Sequence, residues 1–218
     1  MTSALRKWYP LLLAAVGAAL SLAVYTRLPD SLAVHFDLEG NPNGWMPRPV
    51  GAFFGPVFIL LLAGLLRGVR RIDPREENYA RFDRAYETIV ASVLLLLLGT
   101  HLIVIATALG FRVPVGRLVP ALVGGLFVAT GNVMPQMRPN WWFGVRTPWT
   151  LSNDRVWTRT HRLAGYSMTG AGIVMILSGF VFPVRLGAPI VVGAAVASVL
   201  APAVYSYLTW RREQSRDA

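Results

Sequence analysis

Six apolar runs, at about 9–26, 51–69, 86–110, 115–134, 164–183 and 187–209, constrain this chain more than any motif in it. Each is close to the roughly 20 residues that an α-helix needs to cross about 30 Å of hydrocarbon. None alternates apolar with polar residues. Because unpaired backbone groups are prohibitively costly in lipid, the runs read as helices and not as strands of a barrel. The expected fold is an all-α integral membrane protein with six transmembrane helices. At 54% apolar and 15% charged residues, the composition leaves no soluble catalytic domain. Arg6 and Lys7 ahead of Pro10–Val24 imitate a secretory leader, but no small-x-small site precedes Tyr25-Thr26-Arg27, so the run is read as a retained helix.

Charge sets the orientation. Sixteen of the 21 Lys and Arg residues fall in the two termini, the connector 67–84 and the loop 138–162; five fall in the other three loops. The positive-inside rule then places both termini in the cytoplasm of a multi-pass bacterial plasma-membrane protein. A net charge of +10 with that asymmetry signals topology and contact with anionic inner-leaflet lipid, and no direct nucleic-acid partner is expected. The chain has no cysteine, which excludes disulfides, thiolate metal sites and thiol nucleophiles. No cofactor is expected either.

The loop 27–50 contains HFDLEGNPNGW, with His35, Asp37 and Glu39 at alternate positions before Gly40, Asn41, Asn43 and Trp45. Three readings stay open for it. From Glu39 the spacing faintly resembles a calcium loop, yet its twelfth position is Val50 where a bidentate carboxylate is required. A turn, with Asp37 and Asn43 bonding nearby backbone and Trp45 anchored at the interface, needs no ligand. The third reading is a recognition surface for an extracellular ligand.

His101, in the third run, is the one intramembrane imidazole. An ionisable group at that depth marks a functional site or is satisfied, neutral, by a hydroxyl or carbonyl of a neighbouring helix. The fifth and sixth runs are rich in Gly, Ala and Ser and are expected to pack closely in the bundle interior.

Between the fourth and fifth runs lies MRPNWWFGVRTPWTLSNDRVWTRTHR, Met137 to Arg162. Its first half carries prolines and a glycine and cannot be one helix, so it is expected to form an interfacial or re-entrant segment on the cytoplasmic side. A helix is expected to start near Asp154 with Thr150 or Ser152 as its cap. Helical phase puts Arg155, Arg159 and Arg162 on one face and Val156, Trp157, Thr160, His161 and Ala164 on the other. Interfacial anchoring accounts for Trp141, Trp142 and the arginines. It leaves Asn132, Asn140, Gly144 and Thr147 unexplained.

Those residues carry a resemblance. Gly131-Asn132, Pro135, Asn140, Gly144-Val145-Arg146-Thr147-Pro148-Trp149-Thr150, Trp157, Thr160-His161-Arg162 and Gly165 resemble the hallmark segment of the SdpI family of bacterial membrane proteins. Leu28 to Trp45 resembles the short two-helix domain that often precedes it. The resemblance implies a two-helix unit over 1–70, with its loop 27–50 outside, and a four-helix unit over 71–218, with the loop 135–163 inside. It also implies immunity to a secreted membrane-active peptide toxin and signalling through a cytoplasmic repressor. Two other classes stay open. A membrane enzyme or lipid-handling protein would use a pocket of Asn132, Asn140, Arg146, Thr147 and His161, with Trp149 beside it, although no acidic partner is evident. A small-solute transporter would need a polar path from His101 to Asn132.

Overall fold

The computed structural model describes residues 3–215, with side chains from residue 8. Its long helices are α1 (Ser3–Val24), α2 (Arg48–Arg71), α3 (Tyr79–Ala108), α4 (Val115–Val133), α6 (Asp154–Val181) and α7 (Val184–Gln214); α5 (Pro148–Ser152) is a single short turn of helix. All six long helices are long and apolar enough to span a membrane, as the periodicity predicts. The bundle carries one addition that the sequence did not announce. The loop after α1 folds as an antiparallel hairpin of β1 (Ser31–Phe36) and β2 (Pro42–Pro47), pairing Leu32 with Met46 and Ala33 with Trp45. The register shifts after Ala33, where the strand bulges. Gly40 turns the hairpin at φ +87°, the left-handed region that suits glycine.

Helix α3 packs against α1, α2 and α4, and α6 packs against both α4 and α7. Reciprocal glycine contacts make the α4–α6 seam. A Cβ on Gly124 would fall 2.6 Å from the Gly172 carbonyl oxygen, and one on Gly165 would fall 2.9 Å from that of Gly131. Each pair of glycines is spaced by one heptad along its helix, so two antiparallel backbones meet at two levels with nothing between them.

The expectation that the last two spans both lie inside holds for α6 and not for α7. In the apolar stretch of α6 39% of the residues are buried, and in that of α7 only 17%. Ser198, Pro202, Ser206, Thr209 and Glu213 form α7's buried stripe, whereas Gly193 faces open space. Small residues permit close approach without compelling it.

Two apolar clusters sit at opposite ends of the bundle. One joins Tyr9, Ile59, Tyr79, Phe82, Tyr86 and Met137, at the end where α2, α3 and α4 meet the loop before α5. The other joins Leu28, Leu32, Ala52 and Ile105 under the hairpin. They define a cap face and a hairpin face.

Candidate functional site

The cap is built on α6. Asn153, and neither Thr150 nor Ser152, caps this helix: its side-chain oxygen accepts from the N–H groups of Arg155 (2.9 Å) and Val156 (3.1 Å). An amide at the position before Asp154 satisfies two otherwise unpaired donors, which a serine one residue earlier does not reach. Thr147 and Thr150 instead form a capping box around α5. The predicted split of faces along α6 is found. Val156, Trp157, Thr160, His161 and Ala164 are buried, while Arg155, Arg159 and Arg162 are exposed.

His161 is wholly buried and both its ring nitrogens are engaged by backbone. Nε2 accepts the Val145 N–H (3.1 Å), so Nδ1 carries the proton and donates to the Trp157 carbonyl (2.9 Å). Trp157 stacks on the imidazole at 4.0 Å between centroids and donates its indole N–H to Met137 O at 3.0 Å. Gly144, at φ +98°, passes over the ring so closely that a Cβ there would overlap Nε2. Asn140, also wholly buried, accepts from the N–H groups of Trp142 (3.0 Å) and Phe143 (2.6 Å) and donates to Arg138 O (2.9 Å). The segment from Arg138 to Val145 is therefore a backbone loop wound around two side chains.

Several residues that the sequence reading passed over tie this loop to the rest. Asp73, buried in the α2–α3 connector, accepts from Tyr79 OH (2.8 Å) and from the Trp141 N–H (3.0 Å). Asn78 donates to Pro139 O at 2.8 Å. Ser206 on α7 bonds Thr147 at 2.9 Å, Trp149 packs on Tyr207, and Glu213 pairs with Arg159 at 2.8 Å and Arg155 at 3.6 Å. Glu213 had a signal in the sequence, as an acid set between Arg212 and Arg216.

The postulated polar pocket is not assembled. Asn132 is exposed on α4, and Arg146 is exposed and donates to Trp141 O. Thr147 is spent on capping, and His161 has no nitrogen left for acid–base work. Thr160 Oγ1 is buried with no partner among the described residues.

On the hairpin face, Leu32 is wholly buried against Gly51 of α2 and plugs the hairpin onto the bundle. At the tip, Gly40 lies against the N-terminus of α4: a Cβ there would sit 2.7 Å from Gly116 N. Both oxygens of Asp37 are engaged by Asn41, its N–H at 2.8 Å and its Nδ2 at 3.1 Å, the bonding that the turn reading asks for. The Asn41 N–H holds the Asp37 carboxyl below the usual carboxylate range. Glu39 and Trp45 are exposed, and no group of three or more His, Asp or Glu converges as a metal site among the described residues.

His35 Nδ1 donates to Asn43 Oδ1. Deeper, one nitrogen of His101 is engaged by α1. Its Nε2 lies 3.1 Å from Ser21 Oγ and 3.3 Å from Gly17 O on α1, and the Ser21 hydroxyl donates onward to Ala52 O at 2.6 Å. Gly55 makes room for the ring: a Cβ there would meet Nδ1 at 2.6 Å. The hairpin roofs two clefts, of about 290 and 320 Å³, that share Val34, His35, Thr100 and Val104 as walls.

Comparison with known proteins adds three matches. Residues 136–206, which hold most of the cap loop, α5, α6 and much of α7, match the SdpI/YfhL protein family. Residues 12–60, which hold the hairpin and parts of its two flanking helices, match a domain of unknown function, DUF1648. The immunity protein SdpI of Bacillus subtilis (strain 168) is 27% identical over 161 residues, covering 73% of this chain and 74% of that protein. No solved structure matches the chain.

Proposed function

We propose, for a chain that belongs to the SdpI/YfhL family and carries DUF1648 ahead of that segment, that it protects its own bacterial plasma membrane against a secreted membrane-active peptide. The observation that carries this reading is the likeness to an immunity protein over 73% of the chain. The arginine asymmetry supports an orientation with the hairpin outside, where such a peptide arrives, and the cap in the cytoplasm. Exposed Trp141, Trp142 and Arg162 then offer the surface at which a cytoplasmic repressor is held. Helix α3 reaches both ends, with Thr100 and His101 at the clefts and Tyr79 bonded to Asp73 under the cap. Signalling along it requires the peptide to favour one of two bundle arrangements.

Expression in a cell sensitive to the cognate peptide tests the reading. Survival is expected with the wild type, a marked loss with His35→Ala, and a smaller loss with Arg146→Ala, whose guanidinium only ties down the Trp141 carbonyl. Failure to protect against every secreted membrane-active peptide tried would overturn it. Orientation is read separately. The chain has no native cysteine, so Glu39→Cys should react with an impermeant maleimide in intact cells and Ser152→Cys should not.

A further inference from the structure

On α3, the polar side-chain atoms of His101 and Thr100 left open to the clefts under the hairpin are acceptors. A carbonyl only accepts, and the Ser21 hydroxyl already donates to Ala52, so His101 Nε2 must carry the ring proton. Nδ1 is left as a bare acceptor beside Gly55, with no partner among the described residues, although the residue is only 4% exposed. Thr100 has its hydroxyl proton committed to Leu97 O (2.9 Å), which leaves oxygen lone pairs at the cleft wall. Met46, Phe54, Phe58 and Leu97 wall the smaller cleft, and Asp37, its carboxylate bonded to Asn41, lines the larger.

The opening matches that chemistry. Phe54 and Phe58, stacked at 5.5 Å between ring centroids, are 49% and 38% exposed on a helix that spans the membrane, so they rim the cleft toward the lipid. A volume near 300 Å³ lies at the small end of ligand sites. It accommodates one slender apolar chain and no folded partner.

We propose that the clefts beneath the hairpin bind an apolar chain that ends in an ammonium group, entering sideways from the bilayer, and that the physiological source is a lysine or N-terminal amine of a membrane-active peptide. The ammonium donates to His101 Nδ1 and Thr100, and the chain lies along Leu97 and the phenylalanines. A donor is recognised because Thr100 and His101 have both committed their protons elsewhere, and a cation is favoured over a neutral donor because charged hydrogen bonds are the stronger ones. The peptide source rests on the immunity reading; the chemistry of the cleft does not.

The test uses the full chain in phosphatidylcholine nanodiscs and two probes, dodecylamine and dodecyltrimethylammonium, equal in charge and chain but with no N–H on the second. The wild type is expected to bind dodecylamine about tenfold more tightly, which is the scale of one charged hydrogen bond. In His101→Gln the amide still reaches Ser21 and Gly17 but places no acceptor where Nδ1 lies, so the preference should fall to near unity with the second probe unaffected. Val104→Trp, which pushes an indole out from the wall that both clefts share, should weaken both probes at least about tenfold. An unchanged preference in His101→Gln, or undiminished binding in Val104→Trp, would overturn the proposal. Competition by phosphatidylethanolamine placed in the disc would overturn the peptide source, since that lipid brings its own ammonium. A chain that binds dodecylamine yet protects no cell sinks the immunity reading alone. One that protects through a Val104→Trp cleft sinks this inference alone.

Discussion

His161 and His101 are both buried imidazoles with one nitrogen held near a backbone carbonyl, yet their second nitrogens differ. That of His161 accepts the Val145 N–H and lies under Gly144, whereas that of His101 borders a cleft. Asn140 and Asp37 are less alike than they first look. Each accepts two bonds from neighbouring residues, but Asn140 is sealed and Asp37 stands at a solvent-facing turn. The cap thus spends its polar groups on holding backbone, and the hairpin face leaves acceptors unspent. A buried network that is fully satisfied rigidifies; one left partly open is suited to a ligand. The cap should therefore govern whether the chain folds, and the hairpin face what it binds.

The largest effect should come from Gly144→Ala. It puts a side chain at φ +98° and drives a methyl group into His161, displacing the acceptor of the Val145 N–H. Left-handed strain, overpacking and one lost bond together suggest about 3 kcal/mol or more. The melting temperature of the detergent-solubilised protein should drop by more than about 6 °C, and loss of Trp157 burial should appear in its fluorescence. A drop of only a degree or two would mean that the cap is an accessory and not the keystone.

Leu32→Ala asks the opposite question. It empties a wholly buried plug at a cost of about 2–4 kcal/mol, but in a hairpin whose detachment leaves the helices packed. Amide exchange should rise over residues 31–47 and stay unchanged over residues 138–165, and dodecylamine binding should be lost. Exchange that spreads into the cap would erase the division between the faces. A milder probe of the cap is Glu213→Gln, which removes the α7 anchor of two arginines. Glu213 is buried but its arginines are 49% and 81% exposed, so water screens the pair and about 1 kcal/mol is expected. High salt should shrink the difference between wild type and variant; a salt-independent difference would point to packing instead.

How much of this could be read from the sequence follows the range of each interaction. Helix phase is local, and Val156, Trp157, Thr160, His161 and Ala164 fall on the buried face that a 100° step assigns them. Apolar length is local too, and all six spans are where the runs put them. The hairpin was hidden because Pro, Gly and Asn dominate its turn and β2, and its alternation survives in only one strand. Asn132 seemed a site residue through its neighbours in sequence, but helical phase turns it outward while Gly131 beside it meets α6. Asp73 lies 68 positions from the amide it binds, and no local pattern carries a partner across that distance. The clefts are likewise a joint product of the hairpin with α2, α3 and α4, which no local pattern brings together.

The smallest effect is the sharpest in sign. The Asp37 carboxylate is lowered in the folded hairpin by the Asn41 N–H, so it contributes stability above the unfolded value and loses it as pH falls through the folded value. The backbone amide resonance of Asn41 should move with a midpoint below the ordinary aspartate value of about 3.9. In Asp37→Asn that movement should vanish while the cap resonances stay put across the same range. Solvent screening at the turn keeps the energy small, so protection at neutral pH should be nearly unchanged. A midpoint above the ordinary value would mean that the carboxyl is crowded by Glu39 or desolvated at α4, and that the tip is held there by more than its turn.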